Sequence, residues 1–142
     1  MDKDFKTTPN QTKIEKPWGY ELILTLSDSP VVGKIEHVYV GKRCSFQYHD
    51  QKIETLTLIE GEAMLLLEDE KGNLEEIRME LKKGYLIKPF QKHRFTGITD
   101  CDIVEHSTGE IGNTVRLEDD YQRPTETEET RKTRTAGKIY NG

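Results

Sequence analysis

The chain has 142 residues, of which 21 are basic and 26 acidic, and its formal net charge is −5. This length suits one domain with its own hydrophobic core, and the mild acidity argues against nucleic-acid binding, which needs a basic face. Cys44 and Cys101 form neither a disulfide framework nor a CxxC motif, which indicates a reducing compartment. Residues 1–12 lack an apolar core and the longest apolar run, 63–67, is too short for a bilayer, so we expect a soluble, cytoplasmic protein without membrane contact.

Short strands separated by tight turns are predicted along most of the chain. Residues 1–15 are polar and lack hydrophobic periodicity, which predicts a flexible arm. Residues 53–60 alternate strictly between apolar and polar side chains and give the clearest strand signal. The other predicted strands lie at 18–26, 31–40, the segment around Gln47 and His49, 62–68, 74–81, 85–88, 93–98 and 102–107.

The C-terminal part of the sequence has a different composition. A helix is predicted only near 117–122, and from residue 123 the chain is mainly Thr, Glu, Arg and Lys. Residues 123–142 are therefore predicted to be a charged tail that is disordered or wraps a partner. The short, evenly spaced strands before it predict an all-β domain over residues 16–122, either a sandwich or a small barrel.

Polar residues with the chemistry of metal ligands lie in two segments. Gln47 and His49 are two residues apart, so both point to the same side of a strand. Glu54 follows a short polar turn, and His93 begins a later strand. Two imidazoles, a carboxylate and an amide oxygen suit Zn²⁺, Mn²⁺ or Fe²⁺. Each residue alone is more often an ordinary polar group, but burying all four without a metal would leave polar atoms desolvated.

The spacing of these residues resembles the two motifs of the cupin superfamily. The first motif is matched by Gly41, Gln47, His49, Glu54 and Gly61, and the second by Gly84, Pro89 and His93. Cupins are double-stranded β-helix (jelly-roll) barrels with a metal inside, and the resemblance covers residues 16–122. It implies such a barrel here, with a divalent metal held by Gln47, His49, Glu54 and His93.

The resemblance narrows to the mannose-6-phosphate isomerase branch of the cupins. The Gln-x-His start of the first motif, Lys16-Pro17-Trp18-Gly19 and the segment 115–121 are similar to that branch, in which Gln, His, Glu and His hold zinc. This implies a metal-dependent aldose–ketose isomerase acting on a sugar or sugar phosphate, with zinc preferred and manganese or iron as alternatives. Gln51 and Gln91 depart from the generic motifs, which have His and Gly there.

An isomerase of this kind also needs a group that moves a proton. Glu105, Lys88 and Lys52 are the candidates, and the sequence does not choose among them; Glu105 and Lys88 are assigned as the catalytic pair. Arg43, which shares strand parity with Gln47 and His49, and Lys52 are assigned as contacts for an anionic substrate group. The alternative for each is an interior salt bridge or a solvated charge.

Two other functions stay open at this point. One is a cupin that binds a metal and a sugar without catalysis, and the other is an Fe²⁺ cupin dioxygenase, since fold does not fix function. Gln47 in place of a first histidine disfavours the dioxygenase, because histidine-rich sets suit iron better. Cys44, Phe46 and Tyr48 have the opposite parity from the ligands, and this apolar face predicts a homodimer.

Overall fold

The computed structural model describes residues 2–109 and 111–135, with side chains up to residue 131. This part of the chain forms eleven strands and one helix, α1, at Glu128–Thr135. The strands are β1 (Thr12–Lys16), β2 (Gly19–Ile23), β3 (Val31–Val38), β4 (Phe46–His49), β5 (Glu54–Glu60), β6 (Ala63–Glu68), β7 (Leu74–Arg78), β8 (Gly84–Ile87), β9 (His93–Gly97), β10 (Cys101–Thr108) and β11 (Thr114–Glu118). Within these residues, no helix combines the length and hydropathy required to cross a membrane.

The strands form two antiparallel sheets with the hydrophobic core between them. The larger sheet has the order β1-β2-β3-β10-β5-β8, and the smaller has the order β11-β4-β9-β6-β7. Core residues come from both sheets, such as Leu56 of β5 and Leu65 of β6. Trp18, just before β2, contacts Phe95 of β9 edge-on, with 5.1 Å between the ring centroids. The prediction of a single all-β domain is confirmed.

The interior of the larger sheet changes from apolar to polar along its strands. At one end Leu58 of β5 pairs with Ile103 of β10, and both side chains are buried in the core. At the other end Glu54 of β5 pairs with Ser107 of β10, and both are also buried. The apolar end stabilises the fold through the hydrophobic effect, and the polar end is where buried charge must be compensated.

Two sequence predictions near the chain ends are wrong in their boundaries or type. Strand β1 begins at Thr12, inside the predicted arm 1–15. Of the described residues of that arm, 2–11 are exposed and lie outside any strand or helix. The pattern of β1 was obscured because its inward side chains are Ile14 and a buried lysine, Lys16. The segment 117–122, predicted as a helix, instead contains the end of β11, which pairs with β4, followed by a turn.

Residues 119–131, which we call the C-terminal strap, lie against the barrel, so the disordered tail predicted from residue 123 is wrong for this segment. Thr114 and Glu126 exchange two backbone hydrogen bonds, of 2.8 and 2.9 Å. The strap buries Arg123, Glu126 and Arg131, and Arg131 Nε lies 3.0 Å from Glu126 Oε1. The prediction from composition failed because buried ion pairs, and not apolar side chains, bind this segment to the barrel. Residues 136–142 lie outside the described part of the chain.

The strap gives one test of stability, through the pair of Asp119 and Arg123. Asp119 accepts bonds from Arg123 N, Nε and Nη2 at 2.7, 2.8 and 3.0 Å. Burial alone would raise the pKa of Asp119, but the bonds from Arg123 outweigh it and hold the pKa below its usual value. A carboxyl group whose pKa is lower in the folded than in the unfolded protein stabilises the fold above about pH 4. This contribution is lost as the pH falls through the folded-state pKa.

The variant Asp119→Asn is therefore expected to unfold more easily than wild type at neutral pH, by about 1–3 kcal/mol. Urea unfolding at several pH values from neutral to acidic should show this difference shrinking as the pH falls below about 4. Asp28→Asn, in an exposed turn, is the control and should show little difference. A difference for Asp119→Asn that does not change with pH would contradict the role given to its charge.

Candidate metal centre

Three buried side chains converge at the polar end of the barrel. His49 ends β4, Glu54 begins β5 and His93 begins β9. One ligand atom of each lies within 4.8 Å of the others. Glu54 Oε1 is 3.6 Å from His49 Nε2 and 3.3 Å from His93 Nε2. The three residues expose only 4%, 3% and 1% of their surface in that order, so we call them the buried triad.

The local chain path explains why these residues meet. A short turn joins β4 to β5, so His49 and Glu54 lie at the same end of the barrel. Strand β9 lies beside β4, and Gln47 of β4 pairs with His93. The turn before β9 is held against β4, because Phe90 N donates to the carbonyl oxygen of His49 at 2.7 Å. The triad is therefore built from three strands of two sheets.

Hydrogen bonds to the other ring nitrogen orient both histidines. His93 Nδ1 bonds the carbonyl oxygen of Gln91 at 2.9 Å, and His49 Nδ1 bonds Thr114 Oγ1 at 2.8 Å. Such contacts fix the tautomer and ring orientation of metal-binding histidines. The Nε2 atoms of His49 and His93 are buried and have no hydrogen-bond partner among the described residues. Buried polar atoms usually have partners, so these two nitrogens fit metal ligation.

The protonation states of the triad also suit a divalent cation. Burial, and then the positive charge of Lys52, lower the pKa of His49. Burial alone would raise the pKa of Glu54, but Lys52 and the two histidines outweigh it and hold that pKa well below its usual range. At neutral pH the imidazole of His49 is therefore neutral and the carboxylate of Glu54 is ionised. Metal ligands must be in these deprotonated forms, so the residues fit the group that the sequence implied.

Gln47 lies next to the triad without belonging to it by distance. It lines the same cavity and pairs in register with His93. Its Oε1 atom accepts a hydrogen bond from Ser45 Oγ at 2.5 Å. An amide oxygen has two lone pairs, so this bond leaves one for another partner. Gln47 as a fourth ligand stays a prediction.

Six charges, of which the last is Glu54 of the triad, form a buried chain of ion pairs that we call the ion-pair network. Its members alternate in sign and are Lys16, Glu21, Lys34, Glu105, Lys52 and Glu54. Successive nitrogen–oxygen distances along it are 3.6, 2.8, 3.7, 2.9 and 3.2 Å. Its three lysines and three glutamates balance each other, which is how so much charge is tolerated in the interior.

Sequence reasoning missed four of the buried charged residues near the site. These are Lys16, Glu21, Lys34 and Glu36. The signal that indicates them is strand parity: Lys34 and Glu36 of β3 alternate in register with Val38, which is fully buried. A charged residue that shares the parity of a core valine is a candidate for burial. That signal becomes informative only when a partner of opposite charge is available on another strand.

Comparisons with known proteins agree with this architecture. No family model and no curated protein matches the sequence. Solved structures of oxalate decarboxylase from Bacillus subtilis do match, among them a tryptophan-to-phenylalanine variant with a TM-score of 0.65, 16% identity and coverage of 80% of this chain and 34% of that one. A tryptophan-to-tyrosine variant gives a TM-score of 0.62 at 16% identity, covering 77% of this chain and 32% of that one. The chain has the cupin fold.

A third match adds a fact about the neighbouring enzyme. A structure of Bacillus subtilis oxalate decarboxylase described for its Mn(II) centres matches with a TM-score of 0.63 and 15% identity, over 80% of this chain and 34% of that one. The present chain spans about a third of the length of the structures that it matches. At this level of identity the likeness shows the cupin fold alone. The mannose-6-phosphate isomerase branch and the preference for zinc are not confirmed.

The cupin cavity contains two of the four residues predicted for catalysis and substrate contact. Lys52 and Glu105 line it, both nearly fully buried, with Lys52 Nζ 2.9 Å from Glu105 Oε2. Lys88 and Arg43 do not line it, which corrects the roles predicted for them. Lys88 follows β8 with an exposed side chain. Arg43 donates to the two carboxylate oxygens of Asp120 at 2.7 and 2.8 Å on the surface.

A break in strand alternation explains the error for Arg43. Strand β4 begins only at Phe46, and its pairing with β11 shifts register opposite that residue. Cys44 and Ser45 are neighbours and both are buried, so burial does not alternate here as it does in a strand with one exposed face. Cys44 thus belongs to the core and not to the outer apolar face predicted for it. Counting alternate residues back from His49 therefore places Arg43 on the wrong face of the strand.

The cupin cavity itself measures about 60 Å³. Besides the triad and the network, it is lined by Arg116 of β11 and by Arg123 and Glu126 of the C-terminal strap. Arg116 Nη1 donates to the carbonyl oxygen of Pro124 at 2.7 Å, and its Nη2 lies 3.6 Å from Glu126 Oε2. The sequence analysis placed Arg123 and Glu126 in a charged tail that is disordered or wraps a partner, so these two lining residues were missed. The strap forms one wall of the site.

Proposed function

We propose that the chain is a divalent-metal-dependent cupin enzyme that isomerises a small sugar by moving a proton between adjacent carbons. The observation that carries this proposal is the buried triad of His49, Glu54 and His93 beside the Lys52–Glu105 pair in one cavity. An isomerase needs both a metal site and an acid–base group within reach of one substrate. The cavity offers residues for both.

Each residue has a role in this proposal. His49, Glu54 and His93, joined by Gln47, hold the metal, which when bound polarises the carbonyl and hydroxyl oxygens of an open-chain sugar. Glu105 takes a proton from one carbon and, after exchange with solvent, delivers a proton to the neighbouring carbon, while a second proton passes from the hydroxyl oxygen to the carbonyl oxygen. The reaction therefore has no net proton uptake. Lys52 positions Glu105, because it lies between the Glu105 and Glu54 carboxylates at 2.9 and 3.2 Å.

Zinc and manganese are the proposed metals. A set of two imidazoles and one carboxylate is borderline in hardness and suits either ion, with iron as a further candidate. Manganese gains support from the Mn(II) centres of the oxalate decarboxylase that shares the cupin fold. Elemental analysis of protein purified without chelator identifies the ion.

A second candidate is a cupin that binds a metal and a sugar without turnover. It is favoured by the pairing of Glu105, which lies 3.7 Å from Lys34 Nζ and 2.9 Å from Lys52 Nζ and also accepts a bond from Ser107 Oγ at 2.9 Å. A carboxylate with this many partners can be a structural element of the barrel. Binding without proton exchange distinguishes this candidate from the isomerase.

Solvent-deuterium exchange tests the isomerase directly. Metal-loaded protein is incubated in D₂O with aldoses and ketoses from tetroses to hexoses and with their terminal phosphates, and NMR follows deuterium entering the carbons next to the carbonyl. Wild type is expected to exchange at least one aldose–ketose pair. Glu105→Gln is expected to lower the exchange rate about 10²–10⁴-fold while keeping the metal.

The control for this experiment is Glu60→Gln, an exposed glutamate at the end of β5, which should exchange like wild type. No exchange by metal-loaded wild type with any sugar would reject the isomerase, and sugar binding in the same samples would then favour the second candidate. Equal rates for wild type and Glu105→Gln would reject Glu105 as the acid–base group.

A further inference from the structure

Glu36 is a buried carboxyl group that lines the cavity and is displaced along the larger sheet from Glu54. It lies on β3, is 4% exposed and lines the same cavity. In the larger sheet it pairs with Ile103 of β10, whereas Glu54 pairs with Ser107 of that strand. Ile103 and Ser107 are four residues apart, which is about 13 Å along a strand. On the larger sheet Glu36 is therefore displaced along the strands from Glu54, although the charge of Glu54 still acts on it.

The charge around Glu36 is already balanced without it. The neighbouring lysines, Lys16 and Lys34, belong to the ion-pair network, where they lie against Glu21 and Glu105. Glu36 Oε1 is buried and has no hydrogen-bond partner among the described residues. A buried oxygen of this kind in a native protein usually meets a ligand or water. Glu36 thus lines the cavity but is not a member of the ion-pair network.

The same surroundings favour the neutral form of this carboxyl group. Burial, and then the negative charge of Glu105, raise the pKa of Glu36 well above its usual range. A neutral carboxyl group donates one hydrogen bond through its O–H and accepts others. This matches a hydroxyl group, which also donates one bond and accepts others.

We propose that Glu36 binds the end of the substrate remote from the metal, and that this end carries a hydroxyl group and not a phosphate. The inference rests on the proposed function and specifies its substrate class, an unphosphorylated open-chain sugar. Among the described residues, the cations that line the cavity already have carboxylate partners: the lysines in the ion-pair network, Arg116 with Glu126, and Arg123 with Asp119. A phosphate buried here would therefore be desolvated without a counter-ion of its own, beside the carboxylates of Glu21 and Glu105. Like charges brought together in a buried site repel strongly.

Two variants separate hydrogen bonding by Glu36 from other roles. Glu36→Gln keeps a donor and an acceptor of nearly the same shape, and Glu36→Leu keeps the volume without either. Removing one neutral hydrogen bond to a substrate raises KM roughly tenfold. We therefore expect Glu36→Leu to raise KM roughly tenfold with little change in kcat, and Glu36→Gln, which keeps a donor and an acceptor, to raise KM by less than Glu36→Leu does. Both replace a buried carboxyl group by an uncharged side chain, and thermal unfolding and metal content check that each variant folds and loads.

The measurement uses the metal-loaded full chain and the deuterium-exchange assay, with each sugar compared with its own terminal phosphate. Wild type is expected to prefer the sugar over its phosphate at least about tenfold in kcat/KM. A preference for the phosphate, or an equal loss in Glu36→Gln and Glu36→Leu, would overturn this inference while leaving the isomerase in place. No exchange with any sugar would remove the proposed function and this inference together. If Glu36→Leu does not fold, the preference of wild type and the kinetics of Glu36→Gln still decide the matter.

Discussion

Replacing both His49 and His93 with alanine is expected to leave the protein without bound metal, whereas wild type purified without chelator carries about one ion per chain. Both Nε2 atoms are buried beside Glu54, and within the described part of the chain neither has a hydrogen-bond partner. Loss of a residue that merely orients a ligand costs 10–100-fold in metal affinity. Removing two ligands should therefore weaken binding by more than about 100-fold, and elemental analysis with a competition titration measures it.

A matched control is the double variant His37→Ala/His106→Ala. His37 lies outside the cavity, where its Nδ1 bonds Asp102 Oδ1 at 2.6 Å and its ring stacks on Tyr20. His106 is exposed on β10. This control removes the same number of imidazoles and is expected to keep its metal. Equal metal in both double variants would place the ion elsewhere, and a wild type that takes up no zinc, manganese or iron would reject the metal site. Selective loading with iron would favour the dioxygenase alternative.

The parts of the site that were predictable from the sequence are those fixed by local geometry. Gln47, His49 and Glu54 lie within one strand–turn–strand segment, so parity and turn length alone bring them to one end of a barrel. His93 was assigned from the second motif, and its pairing opposite Gln47 places it beside the others. The alternation of residues 53–60 gave the position of β5 nearly to the residue.

The rest of the site depends on contacts between strands that are distant in the sequence. Lys34 is buried because Glu21 and Glu105 meet it from two neighbouring strands, and no local pattern contains that information. The strap is ordered for the same reason, since Glu126 meets Arg131 and the backbone of Thr114. Composition and periodicity describe apolar burial well, but they misassign charges that are buried in pairs.

Replacing Lys34 with methionine is expected to lower the free energy of unfolding by about 3–5 kcal/mol. Lys34 Nζ lies 2.8 Å from Glu21 Oε2 and 3.7 Å from Glu105 Oε2, and these side chains are all 4% exposed. The variant keeps the volume of the lysine stem but leaves two buried carboxylates short of a counter-ion. Urea unfolding can be followed by the fluorescence of Trp18, which is the single tryptophan of the chain and is buried in the core.

The double variant Lys34→Met/Glu105→Leu separates charge imbalance from loss of packing. Removing one charge of each sign divides the ion-pair network into two complete pairs, Lys16 with Glu21 and Lys52 with Glu54. Replacing a buried ion pair by apolar side chains is often neutral or stabilising. We therefore expect the double variant to be more stable than Lys34→Met, although it carries one more substitution.

The control for these variants is Lys83→Met, whose ammonium group pairs with Glu80 at 3.1 Å on the surface, with both side chains 65% exposed. Exposed pairs contribute about 0–1 kcal/mol, so this change should alter stability little. A double variant less stable than Lys34→Met would mean that packing, and not charge balance, determines the effect. A Lys34→Met variant as stable as the Lys83→Met control would show that water or movement relieves the imbalance. In that case the interior would be more open to solvent than its exposed fractions indicate, and the charge argument for a neutral Glu36 would weaken with it.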